Sequence, residues 1–335
     1  MKNVLYVGNA LSRKGKTITT IETLGAQLGE FFLVKIVSDK SSKIIRLLDM
    51  VWTLFSSRSN LDYVLIDTYS TTNFYYTVVI SRMCRYFKIK YIPILHGGNL
   101  ESRLKNSPKL SAKVFKGAYK LISPSNFMKY TFKKYGYRNI EFIPNTIKIE
   151  NFVFQKKTIE SIKLLWVRSF SEIYNPQLAV KVLKCLKVSF PNAELCMVGP
   201  DSDGSLSEVK KLSEELKLDV KFTGKLTKSE WIKLSEEYNI FINTTNYDNT
   251  PVSVIEAMAL GLPVISTNVG GMPFLIEHNV DGILVDPNDV DNMVSEIKRL
   301  SQDEQLVKRL TCNARNKVEQ FDWNVVKAKW KELLS

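Results

Sequence analysis

The chain has 335 residues, of which 44% are hydrophobic, and its formal net charge is +13. This length is sufficient for two domains of ordinary size. The N-terminal residues lack the pattern of a signal peptide, and no apolar run reaches the length of a membrane span, so we expect a protein that is neither secreted nor integral to a membrane. The four cysteines show no metal-ligand spacing, which predicts reduced thiols and no metal site.

The positive charge is concentrated in the first half of the sequence. Residues 1–150 contain 24 Lys and Arg against 9 Asp and Glu, whereas residues 151–335 contain 23 against 25. A basic region of this kind favours anionic lipid headgroups or a pyrophosphate-linked acceptor as partners. No nucleic-acid-binding motif accompanies it, so we expect no nucleic-acid partner.

Short apolar runs alternate with helical patterns along the whole chain. This alternation predicts an α/β fold with parallel sheets, arranged as two doubly wound domains. The polar stretch from Lys148 to Lys157 marks the predicted junction between them. The predicted strands are, in order, NVLYVG, FFLVKIV, YVLIDT, YIPIL, KLIS, IEFIPN, KLLWVRSF, AELCMVG, VKFTG, NIFINT, PVIST and GILV.

The loop after the first strand permits an alternative interpretation. Ala10–Thr17, ALSRKGKT, meets a permissive Walker A pattern in which alanine replaces the first glycine, and YVLIDT supplies a Walker B-like Asp67. A P-loop NTPase is therefore one alternative, although it leaves residues 160–335 unexplained.

Residues 41–58, SSKIIRLLDMVWTLFSSR, form an amphipathic helical pattern. Its apolar arc is wide, and the polar residues Arg46, Asp49 and Thr53 make up the opposite side. An arc of this width favours a helix that packs its apolar side on a sheet, with docking on a membrane surface as the secondary interpretation.

Two histidines and several acidic residues are candidates for function. His96 follows the strand YIPIL, so it is expected at the edge of the sheet where the carboxyl ends of strands bind ligands. His278 is expected to be exposed and inert. Asp201 and Asp203, in a Gly/Pro loop, are interpreted as turn residues, and Asp289 as a helix N-cap.

The most informative segment is residues 242–276, INTTNYDNTPVSVIEAMALGLPVISTNVGGMPFLI. It predicts a strand, a loop, a helix over Pro251–Leu260 and a second strand. The unpaired N–H groups at the start of this helix, around Thr250, Pro251, Val252 and Ser253, suit a diphosphate, and Glu256 could reach a ribose hydroxyl.

This segment resembles the family-4 retaining glycosyltransferases of GT-B fold. The signature of that family is an acidic pair at E-x7-E spacing followed by E-A-M-A-x-G-x-P-V, and Asp248 stands here where the first Glu belongs. Weaker similarity extends over nearly the whole chain. The resemblance implies an N-terminal acceptor domain over residues 1–150, a nucleotide-sugar domain over 151–312, and a C-terminal helix over 313–335 that returns to the first domain, with the active site in the cleft between domains.

The resemblance also implies roles for single residues. His96 contacts the transferred sugar, Asp248 orients the sugar hydroxyls, and Arg168 binds the diphosphate. The family has a lysine six positions after this arginine, but the chain has Tyr174 there, so we expect a lysine of the first loop to restore the charge. The residues implied in donor binding are Gly15, Lys16, Arg168, Asn249, Thr250, Pro251, Val252, Ser253 and Glu256.

The implied reaction is transfer of a sugar from a nucleotide-diphosphate sugar, with UDP favoured, to a glycan acceptor. No metal or other cofactor is expected, because the nucleotide-sugar is a co-substrate. The basic first half favours a lipid-linked acceptor, as in cell-surface polysaccharide assembly, and a cytoplasmic protein peripheral to the inner face of the plasma membrane. The changes at Tyr174 and Asp248 keep a second alternative open, namely a catalytically inactive GT-B module that binds a glycan or a partner.

Overall fold

The structure is a computed structural model, and it describes residues 1–11, 19–96 and 99–335. The strands are β1 Asn3–Val7, β2 Leu33–Val37, β3 Tyr63–Thr68, β4 Lys90–Leu95, β5 Leu121–Ser123, β6 Ile140–Phe142, β7 Lys163–Val167, β8 Glu194–Val198, β9 Lys221–Gly224, β10 Ile240–Asn243, β11 Val264–Thr267 and β12 Ile283–Val285. Each of the twelve predicted strands is present. The inner strands β3 and β10 are buried throughout, as is typical of parallel sheets, whereas the edge strand β2 is largely exposed.

Helices connect the strands in both halves of the chain. They are α1 Thr20–Leu28, α2 Lys43–Ser57, α3 Phe74–Tyr86, α4 Leu100–Asn106, α5 Pro108–Phe115, α6 Asn126–Lys134, α7 Pro176–Ser189, α8 Ser205–Glu215, α9 Lys228–Leu234, α10 Val252–Leu260, α11 Met272–Leu275, α12 Val290–Gln302, α13 Glu304–Glu319 and α14 Trp323–Leu334. The predicted N-cap at Asp289 is confirmed, since its side chain accepts a hydrogen bond from Asn292 N over 2.9 Å.

The first compact unit consists of Met1–Thr146 and Trp323–Ser335. Its six strands are all parallel, in the order β2-β1-β3-β4-β5-β6. Helix α14 packs within this unit, where Trp323, Val326 and Trp330 share a buried cluster with residues of β1 and α1. The direction of the strand order reverses between β1 and β3, which is the position where open α/β sheets bind ligands.

The second compact unit is Ile147–Asp322. Its sheet is also entirely parallel, in the order β12-β11-β10-β7-β8-β9, which is a doubly wound arrangement with its reversal between β7 and β10. The carboxyl ends of these two strands therefore mark the expected ligand site of this unit.

The boundaries between the units differ from the sequence-based ones. The first junction lies after Thr146 rather than after residue 150. The C-terminal segment of the first unit begins at Trp323 and not at residue 313, because α13 continues to Glu319 and its Leu310, Ala314 and Val318 are buried in the second unit.

Helix α2 does not bury the side that its sequence pattern indicates. Arg46, Met50, Thr53 and Leu54 are buried, whereas the sequence pattern predicts Arg46 and Thr53 on the outer face. The Arg46 guanidinium is satisfied by the carbonyl oxygen of Lys40 at 3.1 Å. Leu47 and Val51 are partly buried, whereas the rest of the apolar arc is exposed: Ile44, Ile45, Leu48, Trp52 and Phe55. The helix packs into the core of the first unit as expected, but most of the predicted apolar arc is not part of that contact.

Within the described ranges, we find no helix with both the length and the apolar character required to cross a bilayer.

Candidate active site

Two adjacent strands of the second sheet deliver the charged groups of the candidate site. Arg168 follows the last residue of β7, and the loop that carries Asp248 follows β10. The two strands are hydrogen-bonded neighbours, with Leu165 opposite Phe241. The reversal of strand order thus brings together residues that lie 80 positions apart in the sequence.

Arg168 and Asp248 form an ion pair that is largely withdrawn from solvent. The guanidinium Nη2 contacts Asp248 Oδ2, and the two side chains are 19% and 10% exposed. Burial raises the pKa of Asp248 above its usual 3.8, and the attraction of Arg168 only partly opposes this. The buried Nε of Arg168 has no hydrogen-bond partner among the described residues, so a donor remains for a ligand oxygen.

Tyr174, which stands where the resemblance implies a lysine, packs against Arg168. The guanidinium carbon lies 4.1 Å from the centre of the Tyr174 ring, a cation–π contact. The loop after β10 fixes the tyrosine backbone, since Thr244 Oγ1 donates to Tyr174 O over 3.0 Å and receives a hydrogen bond from Trp166 Nε1. The tyrosine therefore does not replace the missing charge, but it orients the remaining arginine.

The start of α10 presents unpaired backbone donors beside this pair. Pro251 is the N-cap and the helix begins at Val252, one residue later than predicted, and no side chain of the described residues caps its first turn. The buried Ser253 Oγ lacks a hydrogen-bond partner in the described part of the chain. A free helix N-terminus together with an unsatisfied hydroxyl is suited to binding an anion. Asn249 and Thr250 lead into this turn, and Asn249 N donates to Asp248 Oδ1 over 2.8 Å.

Glu256, on the second turn of α10, has a partner that the sequence analysis did not find. Only 5% of its side chain is exposed, and its Oε1 contacts the ammonium group of Lys228 at the start of α9. The helix dipole disfavours a positive charge in the first turn of a helix. The position of Lys228 in the sequence therefore indicates that its ammonium group has an acidic partner.

The Gly270-Gly271 turn packs against the loop that holds Asp248. Gly271 N donates to Asp248 O over 2.8 Å. A Cβ on Gly271 would lie 1.6 Å from Asn249 O, and Gly270, at φ +54°, would place a Cβ 2.3 Å from Asp248 O. The two glycines therefore allow the turn to approach the backbone of this loop closely.

His96 belongs to a separate cluster in the first unit, at the carboxyl edge of β3 and β4. Its Nε2 lies 2.8 Å from Oδ1 of the fully buried Asp67, which also accepts a hydrogen bond from Tyr6 Oη at 2.9 Å. The Tyr69 ring stacks on the imidazole with 5.8 Å between centres. Burial and the nearby carboxylate raise the pKa of both phenols, so they remain donors. We assign the proton to Nε2, because a carboxylate only accepts, and Nδ1 remains as the second polar atom of the ring.

Other candidate residues lie outside this arrangement. Gly15 and Lys16, with most of the Walker A-like loop, fall outside the described residues. Asp201 accepts a hydrogen bond from Gly204 N and Asp203 accepts one from Ser205 N, as expected of turn residues. Asp203 also accepts hydrogen bonds from Ser171 Oγ and Glu172 N. His278 is exposed as expected, but it accepts a hydrogen bond from Leu284 N. The described ranges contain no cluster of three or more His, Cys, Asp or Glu side chains able to hold a metal ion.

Comparison with known families connects this geometry to a class of enzymes. The family model described as Glycosyl transferases group 1 matches residues 148–317, which includes the Arg168–Asp248 and Lys228–Glu256 ion pairs. The amylovoran biosynthesis glycosyltransferase AmsK of Erwinia amylovora is 25% identical over 278 residues, covering 78% of this chain and 68% of AmsK. The UDP-Gal:alpha-D-GlcNAc-diphosphoundecaprenol alpha-1,3-galactosyltransferase of Escherichia coli is 29% identical over 89 residues, 27% of this chain and 22% of that protein.

Solved structures share the fold over the whole chain. HepE of Anabaena, crystallised with UDP and glucose, has a TM-score of 0.79 at 16% identity. The match covers 100% of this chain and 99% of the HepE chain. The sucrose-phosphate synthase of Thermosynechococcus elongatus has a TM-score of 0.83 at 16% identity, covering 99% and 98%. These similarities establish the two-sheet GT-B architecture.

Proposed function

Because the chain belongs to the Glycosyl transferases group 1 family, we propose that it is a retaining enzyme of the family-4 type that transfers a sugar from a UDP-sugar to a lipid-linked glycan. The chain is a glycosyltransferase of GT-B fold. The proposal concerns its stereochemistry, donor and acceptor.

One observation carries the proposal. Arg168 follows the carboxyl end of β7, and the uncapped N-terminus of α10 follows the loop after β10. These two strands are neighbours in the second unit, where the strand order reverses. Both groups stabilise negative charge, and the hydroxyl of Ser253 adds a third donor. A diphosphate that leaves a sugar with the bonding electron pair gains charge, so donors placed here favour its departure.

The other residues receive roles from their chemistry. Asp248 orients hydroxyls of the sugar, and Glu256 accepts hydrogen bonds from the ribose of the donor. His96, held through Nε2 by Asp67, contacts the sugar through the other nitrogen of its ring. Gly15 and Lys16 act on the diphosphate, with Lys16 supplying the cation that Tyr174 does not. No metal ion or other cofactor takes part, because these groups supply the positive charge.

The donor and acceptor are inferred from chemistry that the relatives share. HepE was crystallised with UDP, and the name of the E. coli relative gives UDP-Gal as donor and a diphosphoundecaprenol-linked sugar as acceptor. The excess of basic residues over 1–150 suits a pyrophosphate-linked acceptor in the assembly of a cell-surface polysaccharide or glycoconjugate. We place the reaction at the cytoplasmic face of the plasma membrane, with the protein bound peripherally.

Nucleotide binding and product stereochemistry test the proposal. Isothermal titration with UDP, GDP and ADP in EDTA is expected to show UDP binding that is lost in Glu256→Ala. Incubation with UDP-sugars and a polyprenyl-diphosphate glycan is expected to give a product whose anomeric proton retains the donor configuration by NMR. Magnesium-dependent binding of ATP that is lost in Lys16→Ala would favour a P-loop NTPase. UDP binding without transfer or donor hydrolysis for any acceptor would indicate an inactive module.

A further inference from the structure

Helix α2 presents an apolar face that no described part of the chain covers. Ile44, Leu48 and Trp52 are 74%, 61% and 68% exposed, and Ile45 and Phe55 extend the same face. The four other tryptophans of the chain are all buried. Because α2 buries the side that carries Arg46, Met50, Thr53 and Leu54, the exposure of these large residues is a property of the fold and not of a frayed end.

The face continues over the end of α3 as a band of aromatic rings. The ring centres of Trp52 and Phe55 are 6.3 Å apart, and those of Phe55 and Phe87 are 6.1 Å apart. Tyr86, which is 81% exposed, joins Phe87 at 5.2 Å. Beside this band is an open groove of about 320 Å³, lined by Val78, Val79, Arg82, Met83, Tyr86 and Phe87. A contiguous apolar surface of this kind marks an interaction site.

Basic residues outnumber acidic ones in the segments that carry the band, and of these basic residues only Arg46 is buried. Residues 39–58 and 74–90 together contain eight Lys and Arg against two Asp. The Arg58 guanidinium lies 4.2 Å from the ring centre of Phe55 and 5.7 Å from that of Phe87, so its charge is fixed at the border of the apolar face. Lys43 and Arg82 are exposed on the two helices.

We propose that this face, α2 with the end of α3, docks on the surface of an anionic lipid bilayer. Exposed Trp, Tyr and Phe side chains suit the boundary between headgroups and acyl chains, and the basic rim matches the negative headgroups. A second copy of the chain is a poor occupant, because two faces of the same positive charge repel each other. The proposal rests on the proposed function in one respect: the docked face would bring the enzyme to a lipid-linked acceptor. Binding to the bilayer itself does not require the reaction.

Vesicle binding tests the face without donor or acceptor, so its outcome is separate from that of the proposed function. We expect the protein to co-sediment with vesicles of phosphatidylglycerol and phosphatidylcholine, and to bind vesicles of phosphatidylcholine alone at least about tenfold more weakly. We also expect it to dissociate in 0.5 M NaCl, because salt shortens the Debye length and screens the attraction between basic side chains and anionic headgroups. Lipids brominated in the acyl chain are expected to quench tryptophan fluorescence, and Trp52→Tyr is expected to abolish that quenching, since the other tryptophans are buried.

Two variants and a control complete the test. The triple variant Ile44→Ser, Leu48→Ser, Trp52→Ser changes exposed residues only, and we expect its partition to fall at least about tenfold, or about 1.4 kcal/mol. The partition of the double variant Lys43→Glu, Arg82→Glu to the vesicles is expected to fall roughly tenfold. Val188→Ser, at an exposed valine of α7 in the second unit, is expected to bind as the parent does. Equal binding by the triple variant and the parent, absence of quenching, or a dimer in ultracentrifugation that the triple variant dissolves would overturn the proposal.

Discussion

Nε2 of His96 lies 2.8 Å from Oδ1 of Asp67, and the carboxylate is fully buried. Tyr6 donates to the same oxygen, so the acceptor is held from two directions. A Cβ on Gly8 would lie 2.6 Å from Oδ2, which leaves the carboxylate little room to turn. Asp67 is therefore a positioning residue for His96: it fixes the tautomer and the orientation of the ring.

Asp67→Asn is expected to lower kcat by about 10–100-fold, because a hydrogen bond to a charged group contributes about 1.5–3 kcal/mol. The affinity for UDP is expected to stay unchanged, since neither Asp67 nor His96 is among the proposed nucleotide-binding residues. Initial rates and titration calorimetry measure the two quantities. Tyr69→Phe is the control, because its hydroxyl is 3.5 Å from Asp67 and the ring stacking is kept. Equal losses of UDP affinity and rate in Asp67→Asn would contradict the positioning role.

Asp248→Asn is expected to stabilise the protein at pH 7 while it lowers transfer at least about 100-fold. Burial raises the folded-state pKa of Asp248, so the folded protein holds this proton more tightly than the unfolded chain. The stability contributed by the protonated carboxyl is complete below the unfolded pKa near 3.8 and is lost as the pH rises through the folded pKa. The advantage of the asparagine should therefore be largest near pH 7 and vanish towards pH 4.

Thermal unfolding between pH 4 and pH 7 measures this difference. The asparagine variant is also expected to bind UDP at least as tightly as the parent, because Arg168 no longer has to leave Asp248 to reach a phosphate. Arg168→Met is the matched comparison, which leaves Asp248 buried without its cation and is expected to lose both stability and UDP affinity. A destabilised asparagine variant at pH 7 would show that the ion pair outweighs the cost of burial.

The strands, the two-domain α/β class and the start of α10 could be predicted from the sequence because they depend on local patterns. Apolar runs of buried strands are continuous, and Pro251 marks a helix start whichever way the chain folds around it. The buried side of α2 could not be predicted, since periodicity shows that a stripe exists but not whether protein covers it. The partners of His96 and Glu256 lie 29 and 28 residues away, and only the sheet order and the packing of α9 bring them into contact.

Lys228→Met is expected to destabilise the protein without nucleotide and to enlarge the stabilisation that UDP provides. The variant leaves the buried carboxylate of Glu256 without its cation, which costs about 1–3 kcal/mol. Ribose hydroxyls that donate to the carboxylate would compensate for that loss in the complex. Thermal shift with and without UDP measures both effects, and Lys233→Met, an exposed lysine on the same helix, serves as control. A smaller UDP shift in Lys228→Met than in the parent would place the ribose elsewhere.

Gly271→Ala is expected to lower transfer about 100-fold, because a displacement of about 1 Å at a reacting group costs that much. The new Cβ would lie 1.6 Å from Asn249 O, so the loop that carries Asp248 and leads into α10 must move. Gly204→Ala is the control: its φ of +92° makes alanine strained there by about 1–2 kcal/mol, but no atom lies within 4 Å of the added Cβ. Both variants should unfold at a lower temperature than the parent, but only Gly271→Ala should have a lower rate of sugar transfer. Equal rates for the two variants at a temperature where both are folded would show that the glycine turn does not position Asp248.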